Sequence, residues 1–102
     1  MTERDTGIRQ CVIDEIRSLA GQYHVQRVIL FGSRARGDYH TKSDIDLAVS
    51  GGDYVRFALD VDEETSTLLE FDIVNLDGSV SEELRQEIDR DGRILYNANA
   101  VE

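Results

Sequence analysis

The sequence predicts an α/β fold, a small mixed β-sheet with helices packed on it, and three observations carry that prediction. Segments with apolar residues at three- and four-residue spacing alternate with short β-branched or period-two segments, in the order α-β-α-β-α-β-α-β. Glycines punctuate the joints, and no proline interrupts any element. A length of 102 residues suits one domain, expected to span residues 1–102, with a single core and no room for a separate substrate-binding domain.

The elements follow in order. Residues 6–20 place Ile8, Val12, Ile16 and Leu19 on one helical stripe, with Gly21 positioned to stop it. Cys11, the only cysteine, has no internal partner and is read as a small core residue of that helix. His24 connects to Val25–Phe31, apolar and β-branched enough for a buried strand, and Gly32-Ser33 then turns the chain from strand into helix. After a polar loop over 37–43, Ile45, Leu47 and Val49 alternate with Asp44, Asp46 and Ala48, the pattern of a half-buried strand. Gly51-Gly52-Asp53 breaks it, and Tyr54–Leu69 reads as a helix with Tyr54, Phe57, Ala58 and Val61 inward. Phe71–Leu76 is a third strand. The run Ser79-Val80-Ser81-Glu82 offers a capping box for a helix to Asp91, Gly92 closes it, and Arg93–Tyr96 adds a last strand.

The formal charge of -10 is uneven. Residues 1–52 carry seven acids and seven bases, whereas 53–102 carry fourteen acids against four arginines. Such a surface repels a polyanion, so direct nucleic-acid binding is not expected, and a basic protein or divalent cations suit it better. No apolar run approaches the roughly 18 residues of a membrane span, and Met1–Gly21 is too charged for a signal peptide. The expected location is the cytoplasm, with which a lone cysteine agrees.

Two carboxylates at i and i+2 on a strand, Asp44 and Asp46, project from one face, roughly 7 Å apart. Their repulsion is relieved either by water at a strand end or by a divalent cation, with Mg²⁺ favoured where substrate phosphates supply further oxygens. Asp72 lies in the next predicted strand between Phe71 and Ile73. Upstream, Gly32 lets the backbone approach an anion and the Ser33 hydroxyl can donate to it, although a lone Gly-Ser is also an ordinary turn. Together, the turn and three acids describe a site for a Mg²⁺-triphosphate, in which two ions would stabilise in-line displacement at the α-phosphorus.

Gly32-Ser33, ten residues, then Asp44-x-Asp46 resembles the signature of the DNA polymerase beta-type nucleotidyltransferase superfamily. The fuller run Gly-Ser-Arg-Ala-Arg-Gly through Ser-Asp-Ile-Asp-Leu is similar to its smallest members, the minimal nucleotidyltransferase (MNT) antitoxins paired with HEPN toxins. The resemblance, confined mainly to residues 25–76, implies a palm-like sheet and transfer of a nucleoside monophosphate. Gly32 and Ser33 would hold the terminal phosphates, Asp44 and Asp46 would ligate two Mg²⁺ ions, and Asp72 would serve as third ligand and proton acceptor. Arg34 and Arg36 would either reach phosphate oxygens or an acidic partner, or stand exposed in weak ion pairs. His40 is read as exposed rather than metal-binding, and the acids at 60–64 and 82–91 as solvated helix faces, the first a possible docking surface.

The function expected from the resemblance is transfer of AMP from ATP to a hydroxyl, a tyrosine of a HEPN ribonuclease toxin. Its rivals are an antitoxin that binds and occludes without catalysis, and a transferase acting on a small hydroxyl compound.

Overall fold

The computed structural model describes residues 6–98. Four helices and four strands alternate in it: α1 (Gln10–Gln22), β1 (Arg27–Phe31), α2 (Ser33–Arg36), β2 (Ile45–Ser50), α3 (Tyr54–Glu64), β3 (Phe71–Asn75), α4 (Glu82–Asp91) and β4 (Arg93–Asn97). The strands form one sheet in the order β3-β2-β1-β4. β1 pairs antiparallel with both β2 and β4, and β2 pairs parallel with β3, so the sheet is mixed as expected.

Strand alternation divides the apolar residues between two faces. Val28 and Leu30 of β1 and Ile45, Leu47 and Val49 of β2 join Val12, Ile16 and Ala20 of α1 and Phe57 and Val61 of α3 in the main core. The opposite face is smaller: Ile29, Phe31 and Ala48 meet Ile88 of α4. Asp46 shares the phase of Ala48, so it belongs to this less covered face.

Several boundaries differ from the sequence expectation. α1 starts at Gln10, not residue 6, and runs through Gly21 to Gln22; the stop comes at Tyr23, after which His24 reverses the chain at φ 61. Cys11 is exposed, which corrects its core reading, because it precedes the buried Val12 on the helix and faces outward. β1 begins at Arg27, although Val25 is buried as expected. α3 ends at Glu64, not Leu69. Thr65 turns extended with its hydroxyl donating to the Val61 carbonyl at 2.7 Å, and the Ser66 amide donates to Glu15 at 2.8 Å, so the chain is drawn toward α1. Ser81, rather than Ser79, caps α4 by accepting from the Leu84 amide at 3.1 Å.

Candidate active site

β1 ends at Phe31, whose partner across the sheet is Asp46. Gly32 then takes φ 76, ψ -157, a backbone region that only glycine enters readily. A Cβ placed there would lie 2.1 Å from Oδ2 of Asp46. The glycine therefore answers two demands at once: it permits the bend, and it lets the turn press against the carboxylate. Beyond it, the Ala35 and Arg36 amides both donate to the Gly32 carbonyl at 3.1 Å, while those of Ser33 and Arg34 head the single turn of α2, where helix geometry supplies no acceptor.

Asp46 is half-buried and pairs in register with Asp72 of the parallel neighbour β3, at the roughly 4.8 Å spacing of adjacent strands. Asp44 stands one residue before β2, in the same alternation phase as Asp46. Burial pushes the Asp46 carboxyl up to about 6, and the charges of Asp72, Asp44 and Glu87 add to it, with Arg36 opposing. Asp44 and Asp72 are exposed. The three aspartates occupy one end of one sheet face but do not close on each other: among the described residues no three of His, Cys, Asp and Glu form a set that could hold a metal ion. Three hard carboxylates gathered at one sheet end, one of them half-buried and raised by burial and its neighbours' charges, nevertheless suit a divalent cation that takes further ligands from a phosphate substrate.

Arg34 is not brought to this site. Its side chain is 1% exposed and points into the fold, where Nε donates to the Ser43 carbonyl at 3.0 Å and Nη1 to that of Thr6 at 2.9 Å. Nη2 donates to the carbonyls of Thr41 at 3.2 Å and His40 at 3.4 Å. This corrects the expectation of a phosphate ligand: a guanidinium so engaged is not presented to substrate. Arg36 does face the site region, held by Asp38 at 3.3 Å and by Glu87 and Asp91 of α4 at 3.4 and 3.7 Å. The reading of Arg36 as an exposed arginine in ion pairs thus holds, although two of its partners lie on α4, Glu87 being 51 residues away.

Glu87 is the residue that reading the sequence overlooked. The run of acids around it reads in the sequence as a solvated helix face, yet Leu84, Glu87, Ile88 and Asp91 follow helical spacing, and Ile88 is buried against the sheet. Acids at the phase of a buried stripe were the available signal. His40 is exposed, as expected.

A sheet end that sets a glycine-serine bend against one aspartate, with two more beside it, defines the class: a nucleotidyltransferase. Residues 14–100 match the family described as Polymerase beta, Nucleotidyltransferase, and the chain belongs to that family. It is 35% identical over 92 residues to a protein of Methanocaldococcus jannaschii named, by inference, as a protein adenylyltransferase, covering 79% of this chain and 90% of that one. A crystal structure of a toxin-antitoxin with AMP-PNP superimposes with a TM-score of 0.69 at 27% identity, covering 85% of this chain and 74% of its own. Another structure, assigned as a minimal nucleotidyltransferase, gives a TM-score of 0.67 at 25% identity, covering 91% of this chain and 98% of its own. The mixed four-stranded sheet with its helices is thus the nucleotidyltransferase fold. No helix among the described residues is long and apolar enough to cross a membrane.

Proposed function

We propose that this nucleotidyltransferase transfers AMP from ATP to a tyrosine hydroxyl of a HEPN-type toxin in the cytoplasm, and so acts as its antitoxin. The single observation that carries the reading is the closeness of Gly32 to Asp46: a glycine turn heading a helix lies directly against a carboxylate that feels the charge of two others. The relatives support the chemistry, since one is named for protein adenylylation and one is a toxin-antitoxin crystallised with an ATP analogue.

In this reading the Ser33 and Arg34 amides and the Ser33 hydroxyl bind the terminal phosphates. Asp44, Asp46 and Asp72 would hold two Mg²⁺ ions, which would neutralise the clustered charge and supply Lewis-acid activation of the α-phosphate. The acceptor hydroxyl oxygen bonds to the α-phosphorus as the bond to the β-phosphate oxygen breaks. Pyrophosphate leaves on the Gly32-Ser33 side, and the hydroxyl proton passes to the Asp72 carboxylate. The order of the groups across the sheet suits an in-line arrangement, because β1 carries the phosphate turn and β3, beyond β2, carries Asp72. Arg36 is the chain's candidate for a phosphate contact, since it is exposed beside the site and tied only by ion pairs.

The test mixes the chain with ATP, Mg²⁺ and a candidate HEPN-type toxin, and reads the partner by mass spectrometry. A gain of one AMP on tyrosine, lost in Asp44→Ala and Asp46→Ala, is expected. Inhibition of the toxin without any mass gain would instead establish occlusion.

A further inference from the structure

We infer that Arg34 is a positioning residue of this site: from inside the fold its guanidinium sets the 39–43 loop, and through it the place of the Asp44 carboxylate. The inference rests on the reading of Asp44 as a cation ligand. Its basis is the distribution of the Arg34 donors. Three of the four carbonyls they meet, those of His40, Thr41 and Ser43, belong to the loop that delivers Asp44, and the fourth belongs to Thr6, the first of the described residues. The guanidinium also stacks over the Tyr39 ring, 4.7 Å from its centroid, so the whole loop is gathered around one planar cation.

The loop closes on itself as well. The His40 amide donates to the Ser43 hydroxyl at 2.8 Å and the Ser43 amide to the His40 carbonyl at 3.1 Å. Asp44 follows at once, and on its far side the Ile45 amide donates to the Glu70 carbonyl at 2.8 Å. Asp44 is therefore suspended between two anchors, the Ser43 carbonyl held by Arg34 and the first ladder bond from β2 to the segment leading into β3. The packing around the cation leaves it no slack: a Cβ on Gly7 would stand 2.6 Å from Nη1 of Arg34 and 2.5 Å from Cε2 of Tyr39. Among the described residues, no carboxylate forms an ion pair with Arg34, so its partners are carbonyl dipoles and a ring face. Lysine, a point charge with no planar fork, cannot reproduce that set.

A double-mutant cycle separates this role from a general structural one. Affinity for Mn²⁺ with α,β-methylene-ATP is measured for the full chain, Arg34→Lys, Asp44→Ala and the double variant, each checked for unchanged circular dichroism. Asp44→Ala should weaken binding about tenfold or more, and Arg34→Lys about fivefold in the wild-type background but under about 1.5-fold when Asp44 is already absent. Equal losses in both backgrounds, or no loss in the wild type, would overturn the inference while sparing the site. A silent Asp44→Ala would remove the site reading itself. Arg34→Ala gives the second measurement: millimolar methylguanidinium should restore binding and ethylammonium should not. Failure of both Arg34 variants to fold would also refute a local positioning role, since it would make Arg34 a determinant of the whole fold.

Discussion

Asp46→Asn isolates the electrostatic burden that the site places on the fold. The carboxyl is pushed up to about 6 from 3.8, chiefly by burial and then by Asp72, Asp44 and Glu87. A rise of that size corresponds to roughly 3 kcal/mol, at about 1.4 kcal/mol for each tenfold change in proton affinity. The side chain is only half-buried, so water screens much of this, and about 1–2 kcal/mol is the expected penalty on the folded chain in the absence of divalent cations. The folded state holds the Asp46 proton more tightly than the unfolded state does. The penalty is therefore absent below pH 3.8, grows as pH rises toward about 6, and is complete above it. In EDTA at pH 8, Asp46→Asn should melt about 5–10 °C above the wild type, and the gap should shrink as pH falls through 6 toward 4. Thermal and urea denaturation across that range read the difference directly. A gap that is independent of pH, or an asparagine variant that melts lower at pH 8, would refute the reasoning.

The remaining predictions concern single residues and the cation. Mg²⁺ with a non-hydrolysable ATP analogue should raise the wild-type melting temperature, by about 1.4 kcal/mol of stability at ten times the dissociation constant, and leave Asp46→Asn unmoved; calorimetry showing equal shifts would argue against the aspartate as ligand. Gly32→Ala should lose on the order of 2 kcal/mol, from a strained φ of 76 and a Cβ forced to within 2.1 Å of Asp46, and should lose nucleotide binding with it. Arg36→Gln should alter stability by less than about 1 kcal/mol, because its ion pairs are largely solvent-exposed, yet raise the KM for ATP; an unchanged KM would confine Arg36 to the surface network. Ser81→Ala should cost about 1 kcal/mol in urea denaturation through loss of the α4 cap, with no effect on nucleotide affinity.

Much of the site was legible because it is local in the chain. The alternation of Asp44 and Asp46 with Ile45 and Leu47 reports a strand face directly, since neighbouring strand residues point opposite ways whatever surrounds them. Gly32-Ser33 is legible for a similar reason: a glycine that ends an apolar run marks a bend few other residues can make. The helix ends were less so. The apolar spacing of α3 continues in the sequence through Leu68 and Leu69, but the chain leaves the helix at Thr65, where contacts with Glu15 of α1 compete with the last turn. The two arginines were the least legible. Both stand in one short motif with the same charge and similar reach, yet one is buried under Thr6 and the loop while the other meets α4.

From residues alone follow the mixed α/β order, the acidic second half, and a glycine turn followed at a set distance by paired carboxylates, because each depends on backbone geometry and side-chain chemistry within a few positions. Tertiary structure alone settles that Asp72 stands in register beside Asp46, that α4 carries Glu87 to their neighbourhood, and that Arg34 turns inward to the loop instead of outward to a ligand. Those outcomes depend on which strand is hydrogen-bonded to which and on which face a helix covers, and such pairings join residues too far apart in the chain for any local pattern to encode them.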